Sequence, residues 1–165
     1  MGPKKPNRHM VPFRLNQQQF SERYAKCLER ISSTAIAYLR QHFTLTVQDG
    51  VDSAEVQIFV PEDDPYVAAA WIYYQGKDNR VDSSDPSLFA GRSLELAIGL
   101  DGLEEFDPRF YTTEKFGGRS IVGNALKAWL AECWWKAGGW SYPVQTSLYV
   151  HDGVGDGKSV RLTEK

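Results

Sequence analysis

Histidine and carboxylate side chains gathered on a glycine-rich stretch are the raw material of a metal site. This chain offers them in the run His-Asp-Gly-Val-Gly-Asp-Gly, through His151, Asp152 and Asp156. A calcium loop counted from Asp152 needs a ligand oxygen at its third position and a glutamate at its twelfth, where the chain has Val154 and Thr163. Asp-Gly steps supply the positive φ of tight turns, so a turn is expected here and no metal. Ser83 and Ser84, flanked by Asp82 and Asp85, raise the question of a nucleophile, but acyl transfer also needs a base to take the hydroxyl proton. The histidines beyond His9 are His42 and His151; neither sits in an elbow motif, and Gly-x-Ser-x-Gly does not occur. A turn-rich loop is the expectation there.

Glu104, Glu105, Asp107 and Glu114 could furnish acid and base for work on a sugar-like substrate, with Arg109, Tyr111 and Arg119 close by. The separation of the carboxyl groups decides such chemistry, and a loop sequence does not fix it. Gly117-Gly118-Arg119-Ser120 could hold an anion on free backbone N–H groups at a helix start, but it lacks the phosphate-loop pattern, and Ser120 reads as a simple N-cap. No catalytic residue, metal or cofactor is assigned from these patterns.

Two helices and several strands must position whatever these residues do. After Asn16, a good N-cap, Phe20, Tyr24, Cys27, Leu28, Ile31, Ala35, Tyr38 and Leu39 recur at spacings of three and four, which predicts an amphipathic helix over residues 17–42. A second, Trp-rich helix over 120–138 holds Trp129, Trp134 and Trp135 and stops at Gly138-Gly139. Its inward stripe is expected to be Val122, Ala125, Leu126, Trp129, Cys133, Trp134 and Ala137.

Short alternation at Phe43, Leu45 and Val47, a turn at Asp49-Gly50 and a strand through Val56, Ile58 and Val60 suggest a hairpin. The apolar run 67–74 reads as a central strand covered on both faces. Further strands are expected near Leu94–Ile98, Val144–Val150 and Val160–Leu162. The fold class is α+β: a mainly antiparallel sheet of about five to six strands, with the long N-terminal helix and the Trp-rich helix packed on it. Residues 101–118 read as a long loop, the first place to look for a site.

At 165 residues, with 42% hydrophobic and 24% charged residues, the chain has the composition of one globular domain. It contains no apolar run of the roughly 20 residues that span a bilayer. Residues 1–15 read as a flexible basic segment with Lys4, Lys5, Arg8 and Arg14, and residues 1–10 as a tag-like leader with Met10 at or near a natural start. The folded unit is expected over 16–165, and a cytoplasmic location is the default. Cys27 and Cys133 fall at core-facing helix positions and are expected as buried free thiols.

The net charge of −2 is unevenly spread. Residues 47–64 carry Asp49, Asp52, Glu55, Glu62, Asp63 and Asp64 with no base. Such a surface disfavours nucleic acid and steers a basic partner toward it. Protein binding is therefore the leading expectation, with neutralisation of a basic partner, in the manner of bacterial immunity proteins, as one form of it. Asp52, Glu62, Asp63 and Asp64 would steer the encounter, and Tyr66, Phe106, Phe110 and Tyr111 would supply exposed contact area. The alternative is a small-molecule site or enzyme pocket between the 101–118 loop and the 120–138 helix, using Arg109, Tyr111, Arg119 and Trp135. A third possibility is a homodimer or larger structural assembly that buries surplus aromatics.

Overall fold

In the computed structural model, residues 10–47, 49–62, 68–76 and 93–165 are described. Helix α1 spans Gln17–His42 and opens with a capping box. The Asn16 side chain accepts from the Gln19 N–H at 2.8 Å, and the Gln19 side chain accepts from the Asn16 N–H at 2.9 Å. Its buried stripe is Phe20, Tyr24, Cys27, Leu28, Ala35, Leu39 and His42, close to the predicted one.

Five strands follow: β1 Val51–Phe59, β2 Ala69–Gly76, β3 Ser93–Glu95, β4 Gln145–Val150 and β5 Val160–Arg161. They form one sheet in the order β3-β2-β1-β4-β5, antiparallel throughout except where β1 and β4 run parallel. The strand expected at residues 43–47 is not seen among the described residues, where 43–45 continue from α1 as a turn and bend and Thr46 makes only an isolated bridge. The hairpin partner of β1 is β2.

The run 67–74 also departs from expectation. From Ala69 onward its burial alternates residue by residue, with Ala70, Ile72 and Tyr74 buried and Trp71 and Tyr73 half-buried. Aromatic residues tolerate a half-wet position well, so an apolar run need not be covered on both sides. The buried face of the sheet is built by register. Ala54, Val56 and Ile58 of β1 stand between Tyr74, Ile72 and Ala70 of β2 and Thr146, Leu148 and Val150 of β4.

Both long helices lie on that face. Helix α3, Gly118–Lys136, begins two residues before the expected Ser120. Its N-cap is Gly117 at φ +70°, a left-handed conformation that suits glycine and leaves Ser120 inside the first turn. Its core residues include Val122, Leu126, Leu130, Cys133 and Trp134, whereas Trp129 is half-buried and donates from Nε1 to the Ser32 hydroxyl at 2.8 Å. Beneath α1, His42 reaches Tyr74 and Phe43 packs edge-on against Trp134, ring centroids 4.7 Å apart. Cys27 and Cys133 are buried and unbonded.

The stretch 101–118 is a packed connection rather than an open loop. It holds a 3-10 turn, Leu100–Gly102, and a short helix α2, Arg109–Thr112. Phe106, Phe110 and Tyr111 are 2%, 0% and 8% exposed. They surround the Phe20 ring, with Phe110 stacked at 4.7 Å and Phe106 edge-on at 5.1 Å. The free N-terminal segment expected to Leu15 is tied down from Val11. That residue is buried and bridges Phe106 through Val11 N to Glu105 O and Asp107 N to Val11 O, and Phe13 lies edge-on to Phe110. No helix among the described residues is long and apolar enough to cross a membrane.

Candidate functional site

Because both long helices sit on one side, the odd-numbered residues of β1, β2 and β4 form a sheet face that no helix among the described residues covers, with Phe59, Trp71, Tyr73 and Tyr149 half-buried on it. Strand periodicity puts them there: Ser53, Glu55, Gln57 and Phe59 alternate with the buried Ala54, Val56 and Ile58. The register then aligns two cross-strand rows. Glu95 lies opposite Trp71, Trp71 opposite Gln57, and Gln57 opposite Tyr149. In the next row Ser93, Tyr73, Glu55 and Ser147 follow in order, with Arg161 beyond. Each row thus sets one carboxylate beside one aromatic ring, Glu95 beside Trp71 and Glu55 beside Tyr73.

The polar contacts on this face are few. The Tyr149 hydroxyl donates to Glu55 Oε2 at 3.1 Å. Partial burial, then the neighbouring Glu55 carboxylate, raise the Tyr149 phenol above its ordinary range, which keeps it a donor. His151 stands at the end of the face, its ring 4.7 Å from that of Phe59, with Nδ1 3.3 Å from Gln57 Oε1 and Nε2 3.4 Å from Asp152.

Charge divides the molecule in two. Strands β1 to β4 contain Asp52, Glu55 and Glu95 and not one lysine or arginine. The exposed side of α1 carries Arg23, Lys26, Arg30 and Arg40 against Glu22 and Glu29. Arg161 does not supply the missing cation, because its guanidinium donates to the carbonyls of Thr163 and Glu164. Glu55 and Glu95 make no ion pair among the described residues. Five acids elsewhere are paired: Glu104 with Arg23, Asp107 with Arg109, Glu62 with Arg119, Asp156 with Lys127, Glu132 with Lys136.

The residues singled out in the sequence go to several places. Asp52 and Glu62 are exposed, and Glu62 lies 3.7 Å from Arg119. Asp63, Asp64 and Tyr66 fall outside the described residues, as do Ser83 and Ser84. Phe106, Phe110 and Tyr111 are not surface contacts: the Phe20 cluster buries them, since three aromatic rings gain more by packing together than by staying wet.

The alternative set is not assembled. Arg109 holds Asp107 through two side-chain bonds at 3.0 and 2.8 Å. Arg119 donates from Nε to the Val60 carbonyl at 2.8 Å, and Tyr111 is in the core. Trp135, 41% exposed, donates to the Leu162 carbonyl and meets Trp140, itself 47% exposed. A cavity of about 800 Å³ lies at the sheet edge, lined by Thr34, Ala69, Leu96, Ile98 and Leu103 with Glu95 and Asp101.

Glu104 is unsuited to acid chemistry near neutrality. The Arg23 guanidinium, bonded through Nε and Nη2 at 3.0 Å, lowers its carboxyl to about 2. The candidate metal residues also part company. Asp156 takes the buried Lys127 ammonium while His151 turns to the sheet, so the loop closes over α3 with Asp152 at φ +62°. The sheet-face residues Trp71, Tyr73, Tyr149, Glu55 and Glu95 were missed as a group. Their signal was the polar-or-aromatic alternation within apolar strands. In comparisons with protein-family models, curated proteins and solved structures, nothing matches this chain.

Proposed function

We propose that this protein is a protein-binding module that receives a basic protein on its open sheet face. The observation that carries the reading is the charge and ring content of that face: Trp71, Tyr73, Phe59 and Tyr149 beside Glu55 and Glu95, on four strands without lysine or arginine. Aromatic area with carboxylates suits cationic side chains, whereas phosphate backbones require the bases this face lacks. Neutralisation of a basic partner, as immunity proteins perform it, is one form such binding takes.

The test is capture from the source cell's lysate at low and high salt, run side by side with a Glu55→Gln/Glu95→Gln variant. A basic protein retained at low salt, released at high salt and not retained by the variant is the expected result. Retention that ignores the substitutions, or retention of nucleic acid instead, overturns the reading.

A further inference from the structure

Resting on that reading, we infer that the open face is built to read two arginine side chains placed two residues apart on an extended segment of the partner. The inference follows from how the two rows are spaced. Neighbouring strands lie about 4.8 Å apart and same-face residues along a strand about 6.8 Å apart. The Glu95–Trp71 pair sits between β3 and β2, and the Glu55–Tyr73 pair between β2 and β1, one step along. Their midpoints are therefore displaced by one strand and one same-face step, about 8 Å. An extended segment carries its own same-side residues at i and i+2 about 6.8 Å apart, which two long side chains bridge easily.

Arginine fits each pair better than lysine. A guanidinium is flat, so it stacks on the Trp71 or Tyr73 ring while its edge N–H groups point at the adjoining carboxylate. An ammonium is a point charge and cannot present a face to the ring and a fork to the carboxylate together. Glu55 has one oxygen engaged by the Tyr149 hydroxyl, which fixes the carboxylate and leaves Oε1 for the incoming group. Neither Glu55 nor Glu95 has an ion-pair partner among the described residues, and a cationic side chain from a partner complements both carboxylates.

The experiment is an NMR shift titration of the whole chain with blocked octapeptides on a glycine-serine background. They carry Arg-x-Arg, two arginines at the peptide ends, or Lys-x-Lys. Variants Glu55→Gln and Trp71→Leu probe the two rows, and Glu132→Gln on α3 is the control; urea midpoints establish that each is folded. The Arg-x-Arg peptide is expected to bind about tenfold more tightly than either other peptide, with shifts on β1, β2 and β3. Glu55→Gln and Trp71→Leu should each weaken it about tenfold, and Glu132→Gln should leave it unchanged. Equal binding of the three peptides, still sensitive to Glu55→Gln, overturns the arginine pairing while leaving a basic-partner face. Absence of binding, or binding that neither face variant alters, overturns both.

Discussion

The His42 imidazole meets the Tyr74 hydroxyl at 2.8 Å inside the core, and Tyr74 in turn meets the Tyr142 hydroxyl at 2.6 Å. His42 Nδ1 is buried with no partner among the described residues. Charging this ring would place an imidazolium among Tyr38, Phe43, Tyr74 and Tyr142, with no carboxylate among the described residues paired to it. Burial accordingly lowers its pKa from 6.5 to about 4.

The consequence is acid lability with a definite window. Below about pH 6.5 the unfolded chain takes up a proton at His42 that the folded chain refuses until about pH 4, so stability falls as pH falls through that interval. The loss is on the order of 3 kcal/mol. Urea midpoints measured from pH 7 to pH 4 should decline, and His42→Phe should flatten that part of the profile even if its midpoint at pH 7 is lower. An unchanged slope in the variant contradicts the assignment.

Phe20 is fully buried, with the Phe110, Phe106, Phe116 and Tyr111 rings around it at 4.7 to 6.0 Å. Phe20→Ala should cost about 3–5 kcal/mol, because the cavity is walled by rings on α1, α2 and their connections. Trp71→Leu, on the open face, should cost about 1 kcal/mol or less. Equilibrium unfolding of the two variants checks the contrast, and similar losses would show that the sheet face is not open.

Gly118 is buried, and a Cβ there would overlap the Phe110 carbonyl. Backbone cannot swing aside as a side-chain tip does, so Gly118→Ala should destabilise by about 1–3 kcal/mol even though alanine is the better helix former. Gly138→Ala, at φ +94° with open space around it, should lose only about 1 kcal/mol of backbone strain. Thermal denaturation of the pair ranks them, and a reversed order would refute the packing account.

Cys27 lies against Glu104, its thiol donating to Oε2 at 3.0 Å. Burial first, then the Glu104 carboxylate, raise its pKa to about 11; burial raises Cys133 to about 11 as well. Both thiols should react with a thiol reagent at pH 8 far more slowly in the folded chain than in urea, since only the thiolate attacks. Rapid modification of the folded protein would exclude this picture.

Much of the architecture is legible in the residues. The capping signal at Asn16 and the three-four spacing from Phe20 to Leu39 define α1 to its ends, and β1, β4 and β5 follow from alternation, because these are local properties of the chain. The Gly138-Gly139 stop is local too, with Gly138 at φ +94°.

What the tertiary structure decided is which surfaces remain. Alternation marks two faces of β2 but not which one the helices cover, so Trp71 and Tyr73 read as core until the register set them beside Glu95 and Glu55. Phe106, Phe110 and Tyr111 sit among turn-forming and acidic residues that locally resemble a wet loop. They are buried because Phe20 comes to them from α1, a contact between residues more than eighty positions apart. Pairing across such distances is a property of the packed chain, where apolar area is withdrawn from water jointly by segments that carry no local trace of one another.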